Sequence, residues 1–317
     1  MSEKNRKVTI VGAGAVGSTF AYALAQSGLA DEIAILDFFP DLAKGQAMDL
    51  VQGQPFLPQV HIHAGSEKDY KDSDIVVVTA GAKQAPGETR IALLKRNAGI
   101  VSEIATKVAD SGCKGVIVIV SNPVDVLAKI ALDATGWDRG RVIGSGTVLD
   151  TARFRYALAR DAGVDARNVH GYILGEHGDS EFAAWSLTHV AGLGIDEYCK
   201  SCGECDDGGL CNREAIEKEV RESAYHIIGY KGSTYYAIGL AMVRIAGAIL
   251  RNEHSILSVS VCLEGEFGID GVSLSVPCVL GRSGVERVLN TPLTEGELAQ
   301  LKASAARLSE ALASLKE

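Results

Sequence analysis

Apolar and polar residues alternate along the first half of the chain in two recurring lengths. Short, mostly β-branched runs at Val8 to Val11, Ile33 to Leu36, Val60 to His63, Ile75 to Thr79 and Val116 to Val120 read as strands. Longer stretches between them carry apolar residues at helical spacing, over Ser18 to Ser27, Leu42 to Gln52 and Ile91 to Ser111. Strand following helix in this order predicts an α/β fold, a doubly wound parallel sheet with helices on both faces. From about Thr147 the alternation gives way to mixed structure, so a boundary is expected that separates residues 1–146 from 147–317. In the second part, Leu149 to Gly163, Glu214 to Gly229 and Thr234 to Leu250 read as helices. Tyr172 to Leu174, Ile256 to Leu263 and Val272 to Val279 read as strands, which makes this part an α+β domain. A last helix opens on a capping box, Thr294 with Glu297, and runs one apolar face through Leu298, Leu301, Ala305, Leu308, Leu312 and Leu315.

Composition removes several function classes. A net charge of −9 without any Lys/Arg cluster argues against nucleic acid as a partner. Polar residues, such as Arg244 between Ile238 and Leu250, break every apolar run short of the roughly 18 residues that a membrane span needs. Residues Met1 to Lys7 lead straight into a strand without the apolar stretch of a signal peptide, so a cytoplasmic location is expected. The seven cysteines then read as thiols or ligands rather than disulfides.

The chemistry concentrates at the ends of the strands. Gly12-Ala13-Gly14-Ala15-Val16-Gly17 lies between the first strand and its helix, and Asp37 closes the second strand 20 residues past Gly17. In such a Rossmann turn Gly12 permits the tight bend, Gly14 lets backbone approach a pyrophosphate, and Gly17 lets helix pack on strand. The helix N-terminus offers N–H groups to the phosphates. Asp37 would accept from ribose hydroxyls and repel a 2′-phosphate, and no Arg follows in Phe38-Phe39-Pro40, so NAD is expected over NADP. The loop Ala80 to Arg90, hinged by Gly81 and Gly87, reads as a lid that could carry Arg90 over a substrate. Asn122, in Ser121-Asn122-Pro123, offers a donor and an acceptor at the same rim. Finally, His177 sits in the turn Gly175-Glu176-His177-Gly178-Asp179-Ser180 just after a strand, free to present a ring that titrates near neutrality.

These motifs, together with Ser121-Asn122-Pro123-Val124-Asp125 and the run from Gly144 to Arg155, occur in the order found in the lactate/malate dehydrogenase family, which the chain resembles nearly end to end. The resemblance implies a 2-hydroxyacid dehydrogenase in which His177 moves the proton with Asp150 as its partner. It further implies that Arg153 clamps the substrate carboxylate, that Arg90 polarises the carbonyl, and that Asn122 helps to position it. Gly12, Gly14, Val16, Gly17, Asp37, Asn122 and Ile238 would contact NAD. At Gln84 the malate enzymes usually carry an arginine, and Thr234 matches the lactate type, so pyruvate is expected over oxaloacetate. Arg155 and His170 match the pair that binds fructose 1,6-bisphosphate between subunits in bacterial members, which are usually homotetramers.

One passage departs from the family pattern. Cys199, Cys202, Cys205 and Cys211 are spaced as C-x₂-C-x₂-C-x₅-C, which could ligate zinc or an iron–sulfur cluster. Glu204, Asp206 and Asp207 among them would raise thiol pKa values. The family has a variable surface loop here, so reduced, unligated thiols are the expectation and no metal is assigned.

Overall fold

The computed structural model describes residues 5–82, 87, 89–202 and 212–315. Strands β1 (Lys7–Val11), β2 (Glu32–Leu36), β3 (His61–Ala64), β4 (Ile75–Val78), β5 (Val116–Ile119) and β6 (Val142–Gly144) pair in parallel in the order β6-β5-β4-β1-β2-β3. The chain leaves β1 for β2 on one side and later returns to β4 on the other. The ends of β1 and β4 therefore flank the crevice where such sheets hold ligands.

The period of two along each strand assigns residues to opposite faces. Ile75, Val77, Val116 and Val118 point to one core with α1 (Ala15–Ser27) and α8 (Tyr236–Leu250). Val76, Val78, Ile117 and Ile119 point to the other, with α3 (Arg90–Asp110) and α4 (Val124–Thr135). The remaining helix of this half, α2 (Pro40–Gln52), takes Pro40 at its first turn, where a missing N–H costs nothing. Helix α1 begins at Ala15, three residues before the periodicity suggested, because the glycine turn itself passes into helix.

Beyond residue 146 the sheet continues. β12 (Ser255–Glu264) meets β6 through one bridge, Ser260 to Gly144, and pairs antiparallel with β13 (Asp270–Gly281), which pairs with β14 (Gly284–Val288). Helix α5 (Val148–Asp161) packs on α7 (Arg213–Lys231) over a core that includes Phe154, Leu158, Ile216 and Val220. Short strands complete this half: β7 (Val169–His170) with β10 (His189–Val190) and β11 (Leu193–Gly194), and β8 (Ile173–Leu174) with β9 (Phe182–Ala183). Helix α6 (Ile195–Cys202) precedes the undescribed segment that holds Cys205 and Cys211. In α9 (Glu295–Ser314) both hydrogen bonds of the capping box form, and Leu301, Ala305 and Leu308 are buried against the sheet. Among the described residues no helix is long and apolar enough to cross a membrane.

Candidate active site

At the end of β1, Gly12 has φ +113, and a Cβ there would stand 2.6 Å from Thr79 Oγ1. A Cβ on Gly17 would run into the Gly12 carbonyl, so the third glycine allows the helix to close on the turn itself. Among the described residues nothing lies within 4 Å of the Cβ position of Gly14, and Gly14, as N-cap, brings no side chain to the first N–H groups of α1. The turn thus offers an open backbone face and free donors, which suits a pyrophosphate. Asp37 accepts from Ala13 N–H at 2.7 Å and from Phe39 N–H at 2.9 Å, and each carboxylate oxygen keeps lone-pair capacity for a ribose hydroxyl. Val16 lies in the first turn of α1. Ile238 lies in α8, whose Gly239 approaches Thr19 of α1 so closely that a Cβ would stand 2.9 Å from Thr19 Cγ2. Thr234 is half-buried just ahead of α8.

Asn97 of α3 was not singled out by the sequence. It accepts from Ala82 N–H at 2.8 Å and reaches the Asn122 carbonyl at 3.5 Å, which ties the loop after β4 to the exposed Asn122 after β5. Arg90 opens α3, with Thr89 capping it through Ala92 N–H at 3.1 Å. The Arg90 side chain and Gln84 lie outside the described residues, as do the Cys202 side chain, Cys205 and Cys211. Cys199 is half-buried in α6.

The second half supplies the titratable groups. Thr151 of α5 bonds the Ser258 hydroxyl at 2.9 Å and accepts from Ile173 N–H at 3.0 Å, so the start of the helix is pinned between β12 and β8. Asp150, 1% exposed, is thereby aimed at the turn after β8. Its Oδ2 lies 2.7 Å from His177 Nδ1, and its Oδ1 accepts from Arg153 at 2.7 Å. Gly175 exchanges two backbone bonds with Ser275, and Glu176 N–H donates to Ser304 Oγ at 2.7 Å, so β13 and α9 hold the turn from behind. Two further carboxyls were missed by sequence reading. Asp125 accepts from His177 N–H at 2.8 Å, and Glu181 stands 4.0 Å from His177 Nδ1. Both directly follow or end quoted motifs, but nothing in a single sequence says that either side chain is buried.

Electrostatics here are strong because water is scarce. Burial pulls the His177 imidazole pKa down, but the charge and hydrogen bond of Asp150 outweigh it, with Glu181 and Asp125 adding, and the net is a rise to about 9. Burial pushes the Asp150 carboxyl up, yet His177 and Arg153 together hold it below the ordinary carboxylate range. Burial, then the Asp150 charge, push Glu181 up to about 8. Burial raises Asp125 to about 6 against the Ser260 hydroxyl and the His177 N–H. The result is a protonated imidazole, held by a carboxylate that also holds a guanidinium, in a partly closed turn. That arrangement gives a proton to an oxygen and takes it back.

Residues 6–144 match the family model for the lactate/malate dehydrogenase NAD binding domain, and residues 147–317 match that for the alpha/beta C-terminal domain. The chain belongs to the lactate/malate dehydrogenase family. Among its relatives in that family, it is 71% identical to an L-lactate dehydrogenase of Treponema denticola over 98% of both chains. It is 48% identical to one of Acetivibrio thermocellus over 98% of this chain and 97% of the other. It superposes on a lactate dehydrogenase from a Medee basin deep-sea metagenome library with TM-score 0.96 at 44% identity, covering 99% and 100% of the two chains. A minor L-lactate dehydrogenase from Enterococcus mundtii, in its ligands-bound form, gives TM-score 0.94 at 40% identity over 98% of each chain. NAD is the cofactor of this dehydrogenase, and the open glycine turn with Asp37 beyond it fits that group.

Proposed function

We propose that this NAD-dependent L-lactate dehydrogenase reduces pyruvate to L-lactate through a proton held on His177, and that residues 1–146 bind the nucleotide while 147–317 carry the acid and the substrate clamp. The observation that carries the reading is the chain His177–Asp150–Arg153, two contacts of 2.7 Å on one buried carboxylate. NADH supplies the hydride when bound. Arg153 orients the substrate carboxylate, which a planar fork of donors does better than a point charge. Arg90 meets the negative charge that develops on the carbonyl oxygen, and His177 protonates that oxygen. In the reverse direction the neutral ring takes the proton from lactate, and Asp150 stabilises the imidazolium that forms.

Gln84 and Thr234 set the choice of substrate, because a neutral Gln84 leaves a second carboxylate unpaired, which costs several kcal/mol on the order of the penalty for a buried ion. NADH oxidation measured with pyruvate, oxaloacetate and 2-ketoisocaproate tests this. Preference for either of the last two refutes the assignment, and full turnover by His177→Asn refutes the mechanism.

The finer reading includes activation by fructose 1,6-bisphosphate between subunits of a homotetramer in the cytoplasm. Arg155 donates to the Gly171 carbonyl at 3.1 Å, next to the exposed His170, which supports an anion site there. A cavity of about 360 Å³ is lined by Leu149, Arg155, Tyr172, Arg244 and the exposed Leu240, which supports assembly. Titrating the bisphosphate at subsaturating pyruvate, with sedimentation of the same samples, tests both. An unchanged rate refutes activation.

A further inference from the structure

At the opposite end of the sheet from the nucleotide turn, the first residues of three strands gather a second cluster. His61 and His63 alternate onto one face of the edge strand β3, and their rings stack with centroids 4.7 Å apart. Glu32, the first residue of β2, pairs in register with His61 and reaches His63 Nε2 with Oε1 at 3.1 Å. The three donor atoms lie within 4.8 Å of one another. The active-site residues are remote from this cluster, since the five residues of β2 alone span about 16 Å of strand.

The hydrogen bonds around His63 raise a question that a neutral ring cannot answer. Its Nδ1 faces the Ala64 carbonyl at 3.2 Å and its Nε2 faces the Glu32 carboxylate, so both neighbours are acceptors. One ring proton satisfies only one of them. With Nδ1–H on the carbonyl, which is the usual way a ligating histidine is oriented, the Nε2 lone pair points at a carboxylate and calls for a cation between. The separation of 3.1 Å is close to the roughly 3.3 Å between neighbouring ligands of a tetrahedral ion with bonds of about 2.0–2.1 Å. The His61 ring has no hydrogen-bond partner among the described residues, which leaves it able to turn toward the same point.

Charge favours a dication. Lys7 Nζ sits 3.0 Å from Glu32, 2.9 Å from Asp69 and 2.9 Å from Asp72, so one ammonium faces three carboxylates and two negative charges remain. Asn5 holds the second oxygen of Glu32 at 2.9 Å, so Oε1 faces both Lys7 Nζ and His63 Nε2.

We propose that Glu32, His61 and His63 form a binding site for a divalent transition-metal ion of the zinc type, which clamps the edge strand β3 to β2. Imidazole nitrogen with one carboxylate selects such ions over Mg²⁺ or Ca²⁺, which require oxygen ligands. Because the ion binds only the paired strands, its occupancy stabilises the fold without touching the catalytic turn.

Co²⁺ reports the site by its visible absorption. The full chain, freed of metal by chelation, is titrated with Co²⁺ beside His61→Ala and His63→Ala, and Zn²⁺ is then added as competitor. The expected result is one equivalent of visible-absorbing Co²⁺ that shows no near-ultraviolet thiolate band and is displaced by Zn²⁺. Each variant binds it at least about tenfold more weakly, with the rate of pyruvate reduction unchanged. Equal binding by the variants overturns the proposal. A thiolate band on the only bound equivalent also overturns it, and moves the ion to the cysteines.

Discussion

Replacing Asp150 by Asn keeps the shape of the side chain and removes the charge that holds His177 protonated. The imidazole stands at about 9 against an ordinary 6.5, and burial alone acts in the opposite direction. Without the carboxylate, burial pulls the ring back from about 9 toward the ordinary 6.5 with only Glu181 and Asp125 left to oppose it, a change of up to about 2.5 units, or about 3 kcal/mol. With the ring at 6.5 the protonated fraction at about pH 7.5 drops from about 97% to about 9%, so reduction of pyruvate slows about tenfold from protonation alone. Loss of the charge that stabilises the imidazolium enlarges the effect in both directions. The assay follows NADH absorbance at saturating cofactor over about pH 5.5 to 10, with pyruvate and, separately, with lactate. In the unaltered enzyme reduction fails as pH rises through about 9, where the acid is lost, and oxidation of lactate rises through the same range. In Asp150→Asn both midpoints move down toward 6.5, by up to about 2.5 units. Midpoints that stay near 9 refute the assignment of Asp150 as the group that sets His177.

Three further outcomes are expected. Gln84→Arg raises the oxaloacetate to pyruvate ratio of kcat/KM by orders of magnitude, measured as competing NADH oxidation rates, and a flat ratio shows that residue 84 does not face the substrate. Gly17→Ala forces a methyl group against the Gly12 carbonyl, so it lowers stability by about 1–3 kcal/mol in denaturant unfolding and weakens NADH binding seen by fluorescence; normal binding contradicts the close packing of the turn. Thermal stability falls as pH rises from about 6 to about 9. His177 contributes stability that is complete below 6.5 and lost through about 9. Glu181, raised from 4.5 to about 8, becomes a cost that grows from about pH 4.5 and levels off above about 8. Glu181→Gln therefore flattens the decline in Tm, and an unchanged slope removes Glu181 from the account.

The elements that were legible in the sequence are those whose pattern is local. The β-branched runs and the glycine turn mark β1 to β5, and Thr294 with Glu297 marks the start of α9 within a residue. Helix α4 and strand β6 are absent from the sequence expectation, although α4 carries Asp125, Lys129 and Asp133 at four-residue spacing along one side of an otherwise apolar helix. The antiparallel extension by β12 to β14 could not be foreseen, since one bridge between Ser260 and Gly144 joins it to the parallel strands. At the site, the spacing of Asp150 and Arg153 placed both on one helix face, and they do bond. Asp125 and Glu181 escaped notice because their roles depend on burial and on contacts 52 residues away for Asp125, and four for Glu181 across a turn whose course the sequence leaves open.

The bond from His177 N–H to Asp125 Oδ2 crosses the line between the two matched regions, 6–144 and 147–317. A recombinant that joins the first region of one relative to the second of another would inherit its acid from one parent and the support beneath it from the other. Halves of this enzyme are thus exchangeable only between lineages that agree at position 125, and a crossover drawn by domain limits alone would strand a buried amide. Heredity has to treat that aspartate as part of the C-terminal half, although the chain delivers it with the N-terminal one.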